Sequence, residues 1–298
     1  MNPVQNYSTT GKEKEVLNGV KLFNRVAIVG VGLIGGSLGL AIKNKGIANK
    51  VIGIGHRRKS IDEAIRRKTI DVGSLELSSI KDADLVILCA PVGEILKILP
   101  KLSQFINLNC LVIDVGSTKS EIMKLAQKSK VKFIGCHPLA GMEKKGVENA
   151  KRGIFRDSLC LLVPLKNTAK GDLKKIQRFW KILGARTKLI DASSHDRILA
   201  FTSHLPHAVV FSLLDCIRPG YLPYGSSGLK DTTRIGLSDP YLWRDIFLTN
   251  RKELLFTIKN FKKSLAHLEL LVKNNQPKKT AAYLQKAGIK RNEFTDKA

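Results

Sequence analysis

The sequence predicts an α/β protein: a doubly wound, mostly parallel sheet followed by an all-α C-terminal domain. Apolar runs of strand length recur at regular intervals and alternate with helical patterns, and a glycine-rich turn joins the first run to a helix. After Ser193 only long helical patterns remain. We therefore divide the 298 residues into a flexible leader (1–22), a sheet domain (23–192) and a helical domain (193–298).

The glycine-rich turn lies in the uncharged stretch VAIVGVGLIGGSLGLAI, Val26 to Ile42. A membrane helix needs about 20 apolar residues, and this run is shorter and carries five glycines. It is better divided into a buried strand, Val26 to Val29, a GxGxxG turn and a helix. A second apolar strand, Val51 to Ile54, completes a βαβ unit of the expected length. The arrangement predicts a Rossmann-type dinucleotide-binding domain.

Each glycine of the turn has a separate predicted role. Gly30 permits the tight turn, Gly32 lets a pyrophosphate approach the backbone, and Gly35 allows close packing of helix on strand. The anion would then lie at the helix N-terminus, where backbone N–H groups are free to donate. The predicted cofactor contacts at this turn are Gly30, Gly32, Leu33, Ile34 and Gly35.

The segment after the second strand bears on the choice of cofactor. NAD-binding folds usually place Asp or Glu there to accept from the ribose 2′-hydroxyl, but this chain has His56 at that position, followed by Arg57, Arg58 and Lys59. We include His56, Arg57 and Arg58 among the cofactor contacts, because cations there would pair with a 2′-phosphate. The pattern favours NADP, with NAD and an ordinary basic surface as the alternative.

Further strand-like runs follow along the domain: 84–91, 110–117, 131–138, 158–165 and 187–192. Ligands of doubly wound sheets bind outside the carboxyl ends of the strands, so polar residues at those ends are candidates for a site. Pro91, Ser117 and His137 each lie at such an end. We predict that Pro91 contacts the cofactor and that Ser117 and His137 share one crevice.

The net charge and its distribution along the chain limit the classes of binding partner. Lys and Arg number 51 against 25 Asp and Glu, a formal net charge of +26. Such a charge attracts anions of every class. The cations are spread from Lys12 to Lys297, however, and no stretch interleaves them with aromatic residues as single-strand binders do. We interpret them as a solvated surface and predict no nucleic-acid partner.

The five cysteines are odd in number and lack a CxxC pair, which argues against a disulfide framework and a thiolate zinc site. His204 and His207 have metal-ligand spacing but no third ligand nearby, so we predict no metal. The polar N-terminus has no signal-peptide core, and we expect a cytoplasmic protein without a membrane partner.

The chain carries five motifs in this order: GVGLIGGSLGLA, DVGSTK, HPLAGME, SHLPHAVVF and DTTRI. Together they resemble the motifs of the prephenate and arogenate dehydrogenase family of tyrosine biosynthesis, and the resemblance runs from about Val26 to Leu271. HPLAG and SHLPH at these relative positions are much more specific than GxGxxG. The resemblance implies a nucleotide-binding domain, a helical domain through which two chains form a homodimer, and oxidative decarboxylation of prephenate to 4-hydroxyphenylpyruvate and CO2.

The resemblance also implies roles for residues. His137 would be the catalytic histidine that accepts a hydrogen bond from the ring hydroxyl of the substrate, and Ser117 would orient that site. His207 and Arg234 would contact the carboxylates of the dicarboxylate substrate, and we add Ser203 and His204 from the same motif as substrate contacts. Arg234 lies in a stretch rich in turn residues, which predicts a loop.

Two alternatives remain open at this stage. Arogenate differs from prephenate in having an amino group where prephenate has a keto group, and no single residue here distinguishes the two. A non-catalytic regulatory or nucleic-acid-binding protein with the same fold is the alternative from another class. A nucleotide sensor needs only the glycine turn, so the joint presence of His137, Ser117, His207 and Arg234 favours an enzyme.

Overall fold

The computed structural model describes residues 21–141 and 144–295. The predicted leader, 1–22, lies almost entirely outside this range, as do Met142 and Glu143 of the HPLAGME motif. The chain divides into two compact units, Met1–Asp191 and Ala192–Ala298.

The first unit is built on one eight-stranded sheet with the strand order β3-β2-β1-β4-β5-β6-β7-β8. The strands are β1 Phe23–Val29, β2 Ala48–Ile54, β3 Val72–Ser74, β4 Leu85–Leu88, β5 Leu111–Asp114, β6 Lys132–Pro138, β7 Leu159–Pro164 and β8 Arg186–Leu189. Every neighbouring pair is parallel except β6 and β7, which are antiparallel. The predicted doubly wound, mostly parallel sheet is confirmed.

Five α-helices connect these strands within the first unit's described residues. They are α1 Leu33–Asn44, α2 Arg58–Arg66, α3 Val92–Ile98, α4 Ser120–Lys128 and α5 Lys170–Ile182. All four residues of β4 and all four of β5 are buried, so both faces of the sheet centre are covered. This burial on both faces explains why the central strands are continuous apolar runs rather than alternating patterns.

The described residues of the second unit form helices and the turns that join them. Its helices are α6 Ala192–Leu199, a π-helical segment Ala200–His204, α7 Leu205–Cys216, α8 Ser227–Thr233, α9 Pro240–Thr249, α10 Arg251–Lys273 and α11 Pro277–Thr295. The loop predicted around Arg234 is wrong in part. α8 and a 3₁₀ turn, Arg234–Leu237, occupy much of it, because short helical turns tolerate the Gly and Ser residues that suggested a loop.

One helix among the described residues, Ala192–Cys216, is long and apolar enough to cross a membrane by length and composition alone. Core helices of soluble proteins meet the same criterion. Within this helix His195, Asp196 and His204 are all buried. Three buried polar side chains in one helix need hydrogen-bond partners.

Candidate functional site

The glycine turn has the geometry that a bound pyrophosphate requires. Gly30 has φ +101°, and a Cβ there would lie 2.8 Å from the backbone carbon of Cys89. A Cβ on Gly35 would lie 2.0 Å from the carbonyl oxygen of Gly30. Gly32 has open space where its Cβ would be, and it immediately precedes α1 with no side chain capping that helix. The turn thus leaves an uncovered helix N-terminus for an anion.

The turn and three predicted site residues lie along one edge of the sheet. The strands β1, β4, β5 and β6 are consecutive and parallel, so their carboxyl ends meet at the same edge. Gly30, Pro91 and Ser117 follow β1, β4 and β5, and His137 lies in the last two residues of β6. At about 4.8 Å per strand, β1 and β6 are about 14 Å apart. The order also reverses between β1 and β4, which is where such sheets bind nucleotides.

Ser117 and His137 are both half-buried at neighbouring strand ends. His137 is held between the buried Cys136 and Pro138, and its residue pairs with Leu161 of the antiparallel strand β7. The structure therefore brings the strand ends carrying these two residues together, as expected.

The residues at the end of β2 form an exposed basic segment. His56, Arg57 and Arg58 are all exposed, and α2 begins at Arg58 with no acidic residue in its first turn. Arg57 precedes the helix and makes no side-chain cap. A helix N-terminus flanked by guanidinium groups suits an anionic ligand group.

A buried polar network lies in the helical unit. The side-chain nitrogen of Asn250 donates to the carbonyl oxygen of Asp196 (2.8 Å) and to Nδ1 of His204 (3.0 Å). Nδ1 of His195 lies 2.8 Å from a carboxylate oxygen of Asp196. Because Nδ1 of His204 is the acceptor, the neutral ring carries its proton on Nε2. This network provides the partners that the buried polar residues of the long helix need.

The direct substrate contact predicted for His204 stays a prediction, and the ring of this residue lies in the interior of the helical unit. Only 1% of the residue is exposed, and burial lowers the pKa of His204 to about 4. The imidazole is edge-on to Trp243, with ring centroids 6.1 Å apart. His204 thus supports the packing of its helix, next to the predicted site residues Ser203 and His207.

His207 is stacked on Trp243, with ring centroids 3.4 Å apart and an interplanar angle of 19°. Its Nδ1 donates to the carbonyl oxygen of Ser203 at 3.0 Å, so Nε2 is the nitrogen left to face a ligand. Partial burial lowers the pKa of His207 below its usual value. The half-buried Ser203 therefore acts on this ring through its backbone.

Arg234 is exposed and begins the 3₁₀ turn that follows α8. This turn packs on α7: a Cβ on Gly236 would lie 2.6 Å from Leu214 and 3.2 Å from Val210. α7 is also the helix that carries His207. The structure therefore places the elements bearing Arg234 and His207 against each other within the helical unit.

Sequence reasoning missed Asn250 and the buried ion pair of Asp114 with Lys119, whose side chains are both 0% exposed. A weak signal existed for the ion pair, since an Asp that ends a buried apolar strand needs a partner for its charge. No local pattern marks Asn250, because its partner His204 is 46 residues away. Among the described residues no group of three His, Cys, Asp or Glu side chains is placed to hold a metal ion.

The buried imidazole of His204 should make the stability of the protein sensitive to mild acid. Its folded pKa of about 4 lies below the ordinary 6.5, so its stabilising contribution is complete above pH 6.5 and is lost as the pH falls toward 4. From pH 7.5 to pH 5 this single group should remove about 2 kcal/mol from the free energy of unfolding. Urea denaturation of wild type and His204→Asn at both pH values measures this change in the free energy of unfolding. The variant should lose less on acidification, and equal losses would contradict the assignment.

Comparisons with known proteins match both units. The family of prephenate dehydrogenase nucleotide-binding domains matches residues 38–189, and the family of prephenate dehydrogenase dimerization domains matches residues 191–286. The prephenate dehydrogenase of Bacillus subtilis is 33% identical over 77% of this chain, a match that spans 65% of that enzyme. The prephenate dehydrogenase of Lactococcus lactis is 31% identical over 83% of this chain and 71% of its own length.

A solved structure agrees with these relatives. The crystal structure of prephenate dehydrogenase from Aquifex aeolicus, in complex with hydroxyphenyl propionate and NAD⁺, covers 91% of this chain and 98% of its own, with 35% identity and a TM-score of 0.87. The chain belongs to the prephenate dehydrogenase family.

Proposed function

We propose that the protein catalyses the oxidative decarboxylation of prephenate to 4-hydroxyphenylpyruvate and CO2, with hydride transfer to NAD(P)⁺, as a step of tyrosine biosynthesis. The observation that carries the proposal is the placement of Ser117 and His137 at neighbouring strand ends on the edge that begins at the glycine turn. Relatives named prephenate dehydrogenase, and a related enzyme crystallised with hydroxyphenyl propionate and NAD⁺, support it.

The residues at the glycine turn fit a dinucleotide. The open space at Gly32 and the uncapped start of α1, at Leu33 and Ile34, suit the pyrophosphate, and Pro91 follows the next strand along the edge. When bound, the nicotinamide cofactor supplies the hydride acceptor. The protein positions the substrate and cofactor and provides the electrostatic environment of the reaction, since the rest of the chemistry resides in the substrate.

His137 is proposed as the proton acceptor. The ring carbon that bears the hydroxyl loses its hydrogen as hydride, the hydroxyl proton passes to the imidazole, and a carbonyl forms. The ring carboxylate then leaves as CO2, and the electrons of the broken C–C bond flow through the ring to that oxygen, which takes a proton to give the phenol. Imidazole is suited to this work because its ordinary pKa lies near neutrality. Ser117 is proposed to orient the hydroxyl group.

His207, Ser203 and Arg234 are proposed to bind the substrate carboxylates. A guanidinium presents a planar fork of donors that matches a carboxylate. The stack on Trp243 and the bond to the Ser203 carbonyl fix the ring of His207, so its Nε2 is presented in one direction. Since Nδ1 already donates, Nε2 is proposed to donate to a carboxylate in the protonated form of the ring. His204 is proposed to act indirectly, by holding the helix that carries these residues.

Arogenate is a second candidate substrate, favoured by a specific likeness. The crystal structure of Synechocystis arogenate dehydrogenase covers 91% of this chain at 28% identity with a TM-score of 0.78. A relative from Zymomonas mobilis, 29% identical over 84% of this chain, is named cyclohexadienyl dehydrogenase. The side-chain keto or amino group is the only difference between the two substrates, so rates with both are needed.

The function is tested by initial rates for prephenate and arogenate, each with NAD⁺ and with NADP⁺. We expect cofactor reduction with prephenate and a much lower kcat/KM with arogenate. A higher kcat/KM with arogenate would make arogenate the substrate. No reduction in any of the four mixtures would refute the enzymatic assignment and favour a regulatory nucleotide-binding protein.

We further propose that NADP⁺ is the preferred cofactor, because the exposed segment His56, Arg57 and Arg58 has no acidic residue to accept from a ribose hydroxyl. Arg57→Ala/Arg58→Ala should raise the Kd for NADP⁺ by about tenfold or more while changing that for NAD⁺ by less than about threefold, since each charge-assisted bond contributes about 1.5 kcal/mol or more. Fluorescence titration measures both constants. Lys45→Ala, an exposed cation after α1, is the control, and an equal effect on both cofactors would contradict the proposal.

A cytoplasmic homodimer is the proposed state of the protein. The region matching the dimerization domains includes the long helix Ala192–Cys216. Only 22% of the most apolar 18-residue stretch of this helix is buried within the chain. Phe201 and Phe256 are exposed on the helical unit, and apolar area of this kind is usually covered by another subunit. Sedimentation equilibrium should give twice the monomer mass.

A further inference from the structure

We propose that the buried ion pair of Asp114 and Lys119 is a positioning device that fixes Ser117 relative to His137. This inference rests on the roles proposed above for Ser117 and His137 and deepens them. Both members of the pair have fully buried side chains, and neither is expected to touch substrate.

Lys119 secures the segment that carries Ser117. Its Nζ lies 2.7 Å from a carboxylate oxygen of Asp114 and donates to the carbonyl oxygens of Gly116 (2.5 Å) and Thr118 (3.4 Å). These two carbonyls belong to the residues on either side of Ser117. The ammonium group therefore holds the backbone of Ser117 from both sides.

Asp114 connects the same segment to the strand that carries His137. One carboxylate oxygen accepts from the backbone N–H of Gly116 at 2.9 Å, and the other accepts from the N–H of Cys136 at 3.1 Å. Cys136 directly precedes His137. The carboxylate thus extends the link between β5 and β6 beyond the last paired residues, Ile113 and Ile134.

The surrounding residues make room for this pair. A Cβ on Gly135 would lie 3.2 Å from the side chain of Lys119 and 2.7 Å from the sulfur of Met123. A Cβ on Gly116 would lie 2.9 Å from the Asp114 carboxylate. Glycine at both positions lets two charged groups lie inside the domain with all these bonds made.

Stability alone is a poor explanation for such a pair. Desolvating two charges offsets most of their attraction, and well-packed apolar residues of similar volume are often as stable. What charges add is directional bonding. Four hydrogen bonds fix residues 114–119 around Ser117, and a fifth joins Asp114 to the backbone of Cys136, next to His137. A misplacement of about 1 Å at a reacting group can lower a rate by about 10².

The test is a double-mutant cycle between Lys119→Met and Ser117→Ala, with kcat, prephenate KM and the Kd of NADP⁺ measured for each protein. Lys119→Met should lower kcat by about 10- to 100-fold with the cofactor Kd within about twofold of wild type. In the Ser117→Ala background the same change should lower kcat by less than about threefold, because its effect passes through Ser117. Lys128→Met, on the exposed part of α4, is the control and should leave kcat unchanged.

If Lys119→Met does not fold, the double variant Asp114→Asn/Lys119→Met replaces it in the cycle. This variant removes both charges together at nearly constant side-chain volume. The same loss of kcat, again absent in the Ser117→Ala background, supports the proposal. An equal loss in both backgrounds, or none in either, overturns it while leaving the roles of Ser117 and His137 intact. If Ser117→Ala itself has the wild-type kcat, the assignment of Ser117 fails and the positioning role fails with it.

Discussion

His137→Asn lowers kcat by about 10² to 10⁴ and leaves the affinity for the nicotinamide cofactor within about twofold. The amide cannot take the hydroxyl proton, and general acid–base catalysis contributes a factor of that size. Cofactor affinity should survive because His137 lies at the end of β6, three strands from the glycine turn on β1. Stopped-flow single turnovers and fluorescence titration of the cofactor measure the two quantities separately.

His267→Asn is the matched control for this change. His267 is an exposed histidine on α10 beside Tyr283, and its replacement should leave kcat unchanged. If His137→Asn abolishes cofactor binding as well as turnover, then His137 supports the fold of the sheet edge and is not the proton acceptor.

Arg234→Ala raises the KM for prephenate by about 10- to 100-fold and changes kcat much less. A charge-assisted hydrogen bond contributes about 1.5 to 3 kcal/mol, and a carboxylate contact made equally in the ground and transition states appears in KM. Initial rates over a wide range of prephenate concentration measure both constants. Lys at this position should recover only part of the affinity, because its ammonium group cannot form a two-point contact.

Arg244→Ala is the control for Arg234→Ala. Arg244 is an exposed arginine of α9 whose guanidinium lies 2.7 Å from Asp245 and near the ring of Tyr241. Its removal should leave the prephenate KM within about twofold of wild type. An unchanged KM in Arg234→Ala would remove Arg234 from the substrate site.

The strands of the first unit were predictable because their physical cause is local. Strands buried on both faces must be apolar at every position, and Leu85–Leu88 shows this directly. Val72–Ser74 was not predicted, because a three-residue edge strand with two half-buried positions leaves no apolar run. The residues at the carboxyl ends of the strands were found for a topological reason, since parallel strands bring their ends to one edge.

The buried residues that hold the site residues in place were not predictable, because their partners are distant in sequence or their residue types are misleading. Lysine is almost never fully buried, so nothing in the sequence marks Lys119 as an interior residue. Asn250 meets His204 across 46 residues, and only the packed helical unit brings them together. The helix boundary after Thr233 depends on contacts with α7 that no local propensity records.

The most direct test of the proposed reaction is to measure CO2 and reduced cofactor together in one reaction with prephenate. The chemistry ties loss of the ring carboxylate to hydride transfer, so the two products should appear in equal amounts throughout the time course. Reduced cofactor without CO2, or CO2 without reduced cofactor, would contradict the account.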